Sequence, residues 1–176
     1  VTIVDYGMGN LGSVTNAFRY LGCSAQVSSD PDIVATSECL LLPGVGSFHR
    51  AMNSLRKRGL SDAIIEAVRV RGTRILGICL GMQLMTKHSE EGNCEGLGWF
   101  DADVVRFQVN DTLQYKIPNI GWCDVKHAKE SKLLNGIASN DPFYFVHSFY
   151  AKPHNSADVA GETDYGGGFA SAIARD

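Results

Sequence analysis

The sequence predicts an open α/β fold, a mostly parallel twisted sheet with helices on both faces plus a smaller mixed or antiparallel sheet. Two observations predict it. In the first half, short apolar runs alternate with amphipathic helical patterns, the β-α-β-α order that builds a parallel sheet with helical crossovers. In the second half, apolar runs follow one another, separated by clusters of Gly, Asn, Asp and Pro, the pattern of strands joined by turns.

Each element has its own local reason. Residues 2–4 read as a compact strand. Asn10 reads as the cap of a helix whose apolar face carries Leu11, Val14, Phe18 and Leu21, with Gly22 as its stop. Residues 25–28 form a second strand, Asp30-Pro31 a break, and residues 33–37 a short helix. Cys39-Leu40-Leu41-Leu42 is a buried strand closed by Pro43-Gly44-Val45-Gly46. Ser47 then caps a helix to about Leu55, and Ser61 or Asp62 caps another with Ile64, Ile65 and Val68 inward. Residues 74–78 are the next strand. Beyond it, residues 99–107, Val125 and its neighbours, 143–150, 159–162 and 169–173 read as strands, with one short helical stretch at 132–135.

Bulk properties narrow the function classes. The chain has 176 residues, enough for one domain with a substantial core, and shows no repeat or linker, so residues 1–176 read as a single domain. Net charge is -3, with no basic excess of the kind that nucleic acid or an anionic membrane attracts. The apolar runs are far shorter than the ~20 residues that span a bilayer. Five cysteines, an odd number without a C-x-x-C pair, argue against a disulfide framework and against a zinc ribbon. A reducing cytoplasm is the expected home, and no metal or cofactor is expected.

The informative segment is Gly77-Ile78-Cys79-Leu80-Gly81, placed between a strand and a helical pattern. A nucleophile on a sharp strand-to-helix turn needs small residues two positions to either side, and Gly77 and Gly81 supply them. The helix N-terminus favours the thiolate, which is the attacking form. The N–H of Leu80 can face a developing oxyanion. A strand-end cysteine is more often a packed core residue; the two glycines at elbow spacing reverse that preference here.

Further segments join this one in order: Asp5-Tyr6-Gly7-Met8-Gly9-Asn10-Leu11, Pro43-Gly44-Val45-Gly46-Ser47-Phe48, Ser89-Glu90-Glu91-Gly92, Ile117-Pro118-Asn119-Ile120-Gly121-Trp122 and Phe143-Tyr144-Phe145-Val146-His147-Ser148-Phe149-Tyr150. Together they resemble the glutaminase subunits of imidazole glycerol phosphate synthase, which are class I, triad-type glutamine amidotransferases. The resemblance covers essentially the whole chain. It implies that Cys79 attacks the side-chain amide of glutamine, forms a thioester and releases ammonia. It places Leu80, Val45 and Gly46 at the oxyanion hole, and Gly46, Gln83, Glu91, His147, Ser148 and Phe149 around the glutamine. The implied partner is a (β/α)₈-barrel cyclase forming a heterodimer, in which ammonia yields imidazole glycerol phosphate and aminoimidazole carboxamide ribotide in histidine biosynthesis. Asn119-Ile120-Gly121-Trp122 is a hypothetical part of that interface.

Other candidates read as structural. His147 lies among aromatic residues, and the family carries it as well as a triad histidine, so a structural or substrate-loop role is preferred to that of base. Glu90 reads as solvated, whereas Glu91 is open between solvation and substrate contact. Arg56-Lys57-Arg58 reads as a solvated helix end and Gly166-Gly167-Gly168 as a flexible turn. Cys23, Cys39, Cys94 and Cys123 read as packing residues.

The sequence departs from the family in one respect. The family pairs its cysteine with a histidine and a glutamate in a His-Pro-Glu segment near the C-terminus, and none of His49, His88, His127, His147 and His154 is followed by Pro-Glu. Truncation of the sequence is favoured over true loss of the base, because everything before Asp176 fits the active pattern. Two rivals remain: a glutaminase feeding a sugar amidotransferase of surface-polysaccharide synthesis, which the partner would distinguish, and a non-catalytic scaffold or regulatory subunit, which a stop codon after Asp176 would favour. The 176-residue polypeptide alone is expected to be a very poor glutaminase, since a missing general base costs ~10²–10⁴-fold. Mass spectrometry after incubation with glutamine checks this, and rapid turnover would refute it.

Overall fold

Parallel strands supply the frame on which the candidate site is hung. The structure is a computed structural model, described here over residues 1–175. Strands β1 (Thr2–Val4), β2 (Gln26–Ser28), β3 (Cys39–Leu42) and β4 (Arg74–Gly77) form a sheet in the order β2-β1-β3-β4. All its pairings are parallel. The ends of β1, β3 and β4 therefore lie together, where ligand sites of open α/β sheets form.

The helices form where capping and periodicity ask for them. Helix α1 (Leu11–Tyr20) starts at Asn10, whose side chain accepts the Ser13 N–H at 3.1 Å. Its expected apolar face is only half covered: Leu11, Val14 and Phe18 are partly buried, while Leu21 falls just beyond the helix and is 69% exposed. Asp30-Pro31 is the start of helix α2 (Pro31–Ala35) rather than a break. Asp30 accepts the Asp32 N–H at 2.9 Å, and proline at the first position gives up only an N–H that has no helical partner.

Helix α3 (Phe48–Lys57) turns Phe48, Ala51, Met52 and Leu55 into the core. Helix α4 (Leu60–Ile65) starts before the expected caps: Gly59, left-handed at φ +69°, makes the turn out of α3, so Ser61 and Asp62 lie inside the helix. Ile64 is sealed, whereas Ile65 is 38% exposed, contrary to its expected inward position. A π-helical stretch, Glu66–Val70, shifts the helix face just beyond it. Residues from α3 and α4 pack with Val4, Leu40 and Leu42 in one core.

Beyond the five-residue helix α5 (Leu80–Leu84) the chain builds two more sheets where one was expected. The first is mixed, in the order β10-β7-β5-β6, from β5 (Thr86–Ser89), β6 (Cys94–Glu95), β7 (Phe100–Arg106) and β10 (Phe149–Pro153). The second is antiparallel, in the order β12-β11-β8-β9, from β8 (Asn119–His127), β9 (Asp141–His147), β11 (Val159–Asp164) and β12 (Gly168–Ile173). The single strand expected across residues 143–150 is in fact β9 and β10, which part at Ser148 to join different sheets. The helical stretch near 132 is a 3-10 turn, Lys132–Leu134. Among the described residues no helix is long and apolar enough to cross a membrane.

Replacing Asn10 with Ala removes the α1 cap and is expected to cost ~1 kcal/mol, read as a lower urea midpoint with an unchanged slope.

Candidate active site

Strand β4 delivers Cys79 into a turn that ordinary side chains could not form. Cys79 has φ +53° and ψ -114°, outside the regions that L-residues favour, a strain of about 1–3 kcal/mol. The flanking glycines make the turn possible. A Cβ on Gly77 would lie 2.6 Å from the Met82 nitrogen, and one on Gly81 would lie 1.7 Å from the Leu42 carbonyl oxygen. The close packing that the Gly-x-Cys-x-Gly pattern predicts is therefore present, with backbone as the obstacle on both sides.

Opposite the elbow runs the loop after β3, residues 43–47. Gly44 sits so near α5 that a Cβ there would come within 3.0 Å of the Leu80 Cβ. Gly46 has φ +104°, a conformation that glycine adopts without steric cost. The oxyanion candidates Leu80, Val45 and Gly46 thus lie on two segments packed together. Val45 is 56% exposed.

The Cys79 side chain is exposed, open on one side and walled by protein on the others. Burial against those walls pushes its thiol pKa up, and the hydrogen bond from the Leu80 N–H opposes this only in part. The sequence-based expectation is that the helix end ionises the sulfur; α5 has only one short turn of aligned peptides, and the thiol is instead shifted toward its protonated form, burial outweighing the Leu80 N–H. Among the described residues, no histidine or carboxylate is hydrogen-bonded to the Cys79 sulfur.

The remaining candidates fall into two groups. Glu91 lies beside the loop: its Oε2 accepts the Phe48 N–H at 2.8 Å, capping α3 where the Ser47 side chain makes no capping bond. The other group is a chain of bonds through β10. Gln83 Nε2 donates to the Phe149 carbonyl at 3.0 Å, and His147 Nδ1 approaches the same oxygen at 2.8 Å. His147 Nε2 is 3.5 Å from Asn119 Nδ2. The His147 ring packs with Phe107, Phe145 and Phe169, and this burial lowers its pKa. Both its nitrogens face groups other than Cys79, in keeping with a structural or loop role. Ser148 forms the bend between β9 and β10, its carbonyl accepting the Phe107 N–H at 3.0 Å. Sequence reasoning missed the parts played by the Phe48 N–H, Asn119 and Tyr6. All three lie in segments that carry the resemblance, but nothing in the sequence sets Tyr6 beside residue 43.

Comparison with known proteins decides the family. The family model described as glutamine amidotransferase class-I matches residues 2–176. The chain belongs to the class-I glutamine amidotransferases. Among curated relatives of this amidotransferase, imidazole glycerol phosphate synthase subunit HisH 2 of Methanococcus maripaludis is 40% identical over 176 residues, covering 100% of this chain and 86% of the relative. The HisH subunit of Chlorobium luteolum is 47% identical over 175 residues, covering 98% and 85%. A crystal structure of a glutamine amidotransferase superposes with a TM-score of 0.70 at 16% identity, covering 94% of this chain and 85% of that one. Another, from Thermotoga maritima, gives 0.62 at 16% identity, covering 94% and 70%. These structures share the amidotransferase fold.

Two outcomes are expected. Gly81→Ala forces a side chain into the Leu42 carbonyl and should cost about 3 kcal/mol, measured by urea unfolding. In the 176-residue polypeptide, alkylation of Cys79 by iodoacetamide, followed by peptide mapping, should keep accelerating beyond pH ~8.5, the ordinary thiol value. The thiolate fraction rises with pH, and the raised pKa delays it, so a plateau at or below neutral pH would contradict the desolvated thiol.

Proposed function

We propose that Cys79 makes this amidotransferase the glutamine-hydrolysing subunit of a synthase in histidine biosynthesis. The chain hydrolyses glutamine to glutamate and ammonia. The observation that carries the site assignment is the sulfur itself, exposed on a strained elbow with the Leu80 N–H beside it.

The chemistry follows from that placement. The Cys79 thiolate attacks the side-chain amide carbon of glutamine, and the carbonyl electron pair moves to oxygen. The oxyanion is received by the N–H of Leu80 and by the Val45 and Gly46 backbone. Collapse restores the carbonyl and expels the nitrogen, which takes up the proton that the thiol gave up, as ammonia. Water then adds to the thioester, glutamate leaves and the thiol is restored. A base is needed to move these protons, because desolvation keeps the thiol largely protonated near neutral pH.

Glutamine is held in this reading by Gly46, Gln83, Glu91, His147, Ser148 and Phe149. The Glu91 carboxylate suits the substrate ammonium, while Gln83 and His147 fix the Phe149 carbonyl between them. Ammonia passes to a (β/α)₈-barrel cyclase in a heterodimer, since free ammonia is protonated and lost in water. The five cysteines are all free, which fits a cytoplasmic location. Support for the cyclase as acceptor comes from the relatives, which are named as subunits of imidazole glycerol phosphate synthase.

The outer face of β8 and β9 suits the partner. Ile120 pairs with Val146 and Trp122 with Tyr144 across the ladder, and all four are 57–69% exposed. The Trp122 and Tyr144 rings meet edge to face at 5.6 Å. A contiguous exposed apolar face of this kind marks an interaction site.

Cys79→Ala in the assembled synthase should abolish glutamine-dependent turnover and leave synthesis from added ammonium intact; persistence of glutamine hydrolysis would sink the nucleophile assignment. Trp122→Ala should weaken association with the cyclase at least ~10-fold by calorimetric titration, as for a buried aromatic anchor. Unchanged affinity would remove this face from the interface.

A further inference from the structure

We propose that Tyr6 is a positioning residue for the oxyanion loop, its hydroxyl fixing the first peptide of residues 43–46 against the elbow. The inference rests on the reading of Cys79 as nucleophile and adds a residue to it. Tyr6 stands two residues after β1, at the same end of the sheet as Cys79, and its side chain is completely buried. Its hydroxyl donates to the Pro43 carbonyl at 2.8 Å. Among the described residues the one cis peptide is Ile117-Pro118, so the peptide joining Pro43 to Gly44 is trans. In a planar trans peptide the C=O and N–H point in opposite directions. Holding the Pro43 oxygen toward the Tyr6 hydroxyl therefore sets the plane from which the backbone of Val45 and Gly46 departs.

The surroundings show that this contact is built and leave no slack in it. A Cβ at Gly44 would lie 2.4 Å from the Tyr6 oxygen, so the hydroxyl and the absent side chain fill the same space. Ser54 Oγ donates to the Tyr6 carbonyl, tying its backbone to α3. Two residues along the same loop, the methyl of Met8 reaches within 3.0 Å of where a Gly46 Cβ would be. One short segment thus presses the oxyanion loop at both its ends. Burial, with the nearby Cys79 as a lesser cause, holds the phenol well above its ordinary pKa, which favours the protonated, hydrogen-bond-donating form.

Tyr6 touches neither sulfur nor substrate in this account, and its effect belongs to the transition state. The test is Tyr6→Phe in the full chain bound to its synthase partner. The kcat for glutamine hydrolysis should fall ~10-fold or more, a part of the 10²–10³-fold lost with a whole oxyanion donor. KM for glutamine should change less than ~2-fold, and the pH profile of Cys79 alkylation should not move. An unchanged kcat, a change in KM alone, or a shifted alkylation profile would each overturn the proposal. Should Tyr6→Phe fail to fold, Ser54→Ala, which releases the Tyr6 carbonyl from α3, should give the same split between kcat and KM. In the double variant the losses should be less than additive, and simple additivity would count against a shared contact. Cys79→Ala, run in parallel, separates the two assignments. If it stays active, the nucleophile reading fails; if it is dead while Tyr6→Phe is as active as the parent, only the role of Tyr6 fails.

Discussion

The close approach of Gly81 to the Leu42 carbonyl governs the arrangement around the sulfur. A backbone oxygen occupies the space in which any other residue would place its Cβ. The start of α5 can therefore lie directly on the end of β3, and the Ile78 N–H donates to that same Leu42 oxygen at 3.0 Å. Strand, elbow and loop are in this way joined through one peptide group. The loop after β3 reaches the Leu80 side because nothing projects between them. Shape here comes from missing atoms, as expected where a protein interior is packed as densely as a crystal.

Charge obeys a different balance. A helix terminus is often enough to ionise a cysteine, but the effect scales with the peptides aligned behind it, and α5 has five residues. The protein walls that give the site its shape also displace part of the water that would stabilise a thiolate. Geometry and ionisation are thus separate problems at this elbow: the backbone solves the first, and a proton acceptor must solve the second. Glu91 illustrates the same separation. It is ionisable and beside the site, yet one of its oxygens is engaged with the α3 terminus, where its charge opposes the partial positive charge of the helix.

Legibility in the sequence followed the range of the interactions. Asn10, Gly22 and the β3 run act within a few residues, and each element they mark is found where the pattern places it. The elbow was legible for the same reason, since its two glycines are specified by local sterics. Strand β5 was not legible. Thr86-Lys87-His88-Ser89 is polar, and it is a strand because β6 and β7 flank it, with Thr86 and Ser89 fully buried. The split at Ser148 was hidden inside an unbroken aromatic run, because the cause lies in two separate sheets that claim its two halves. Tyr6 belonged to a recognised motif, but its partner is 37 residues away and was visible only in three dimensions.

Strand β4 lies at the rim of its sheet, paired with β3 along one side. Leu76 on it and Ile78 just beyond it are 41% and 43% exposed. Rim strands offer backbone groups that no ladder protects, and segments bonded on a single flank open at lower free energy than those bonded on both. In the 176-residue polypeptide, the segment that carries the sulfur therefore exchanges its amide hydrogens with solvent before β1 and β3 in the interior. Rigidity at the elbow is a local property of its glycine contacts, which hold whether or not the strand beneath them is bonded on both flanks.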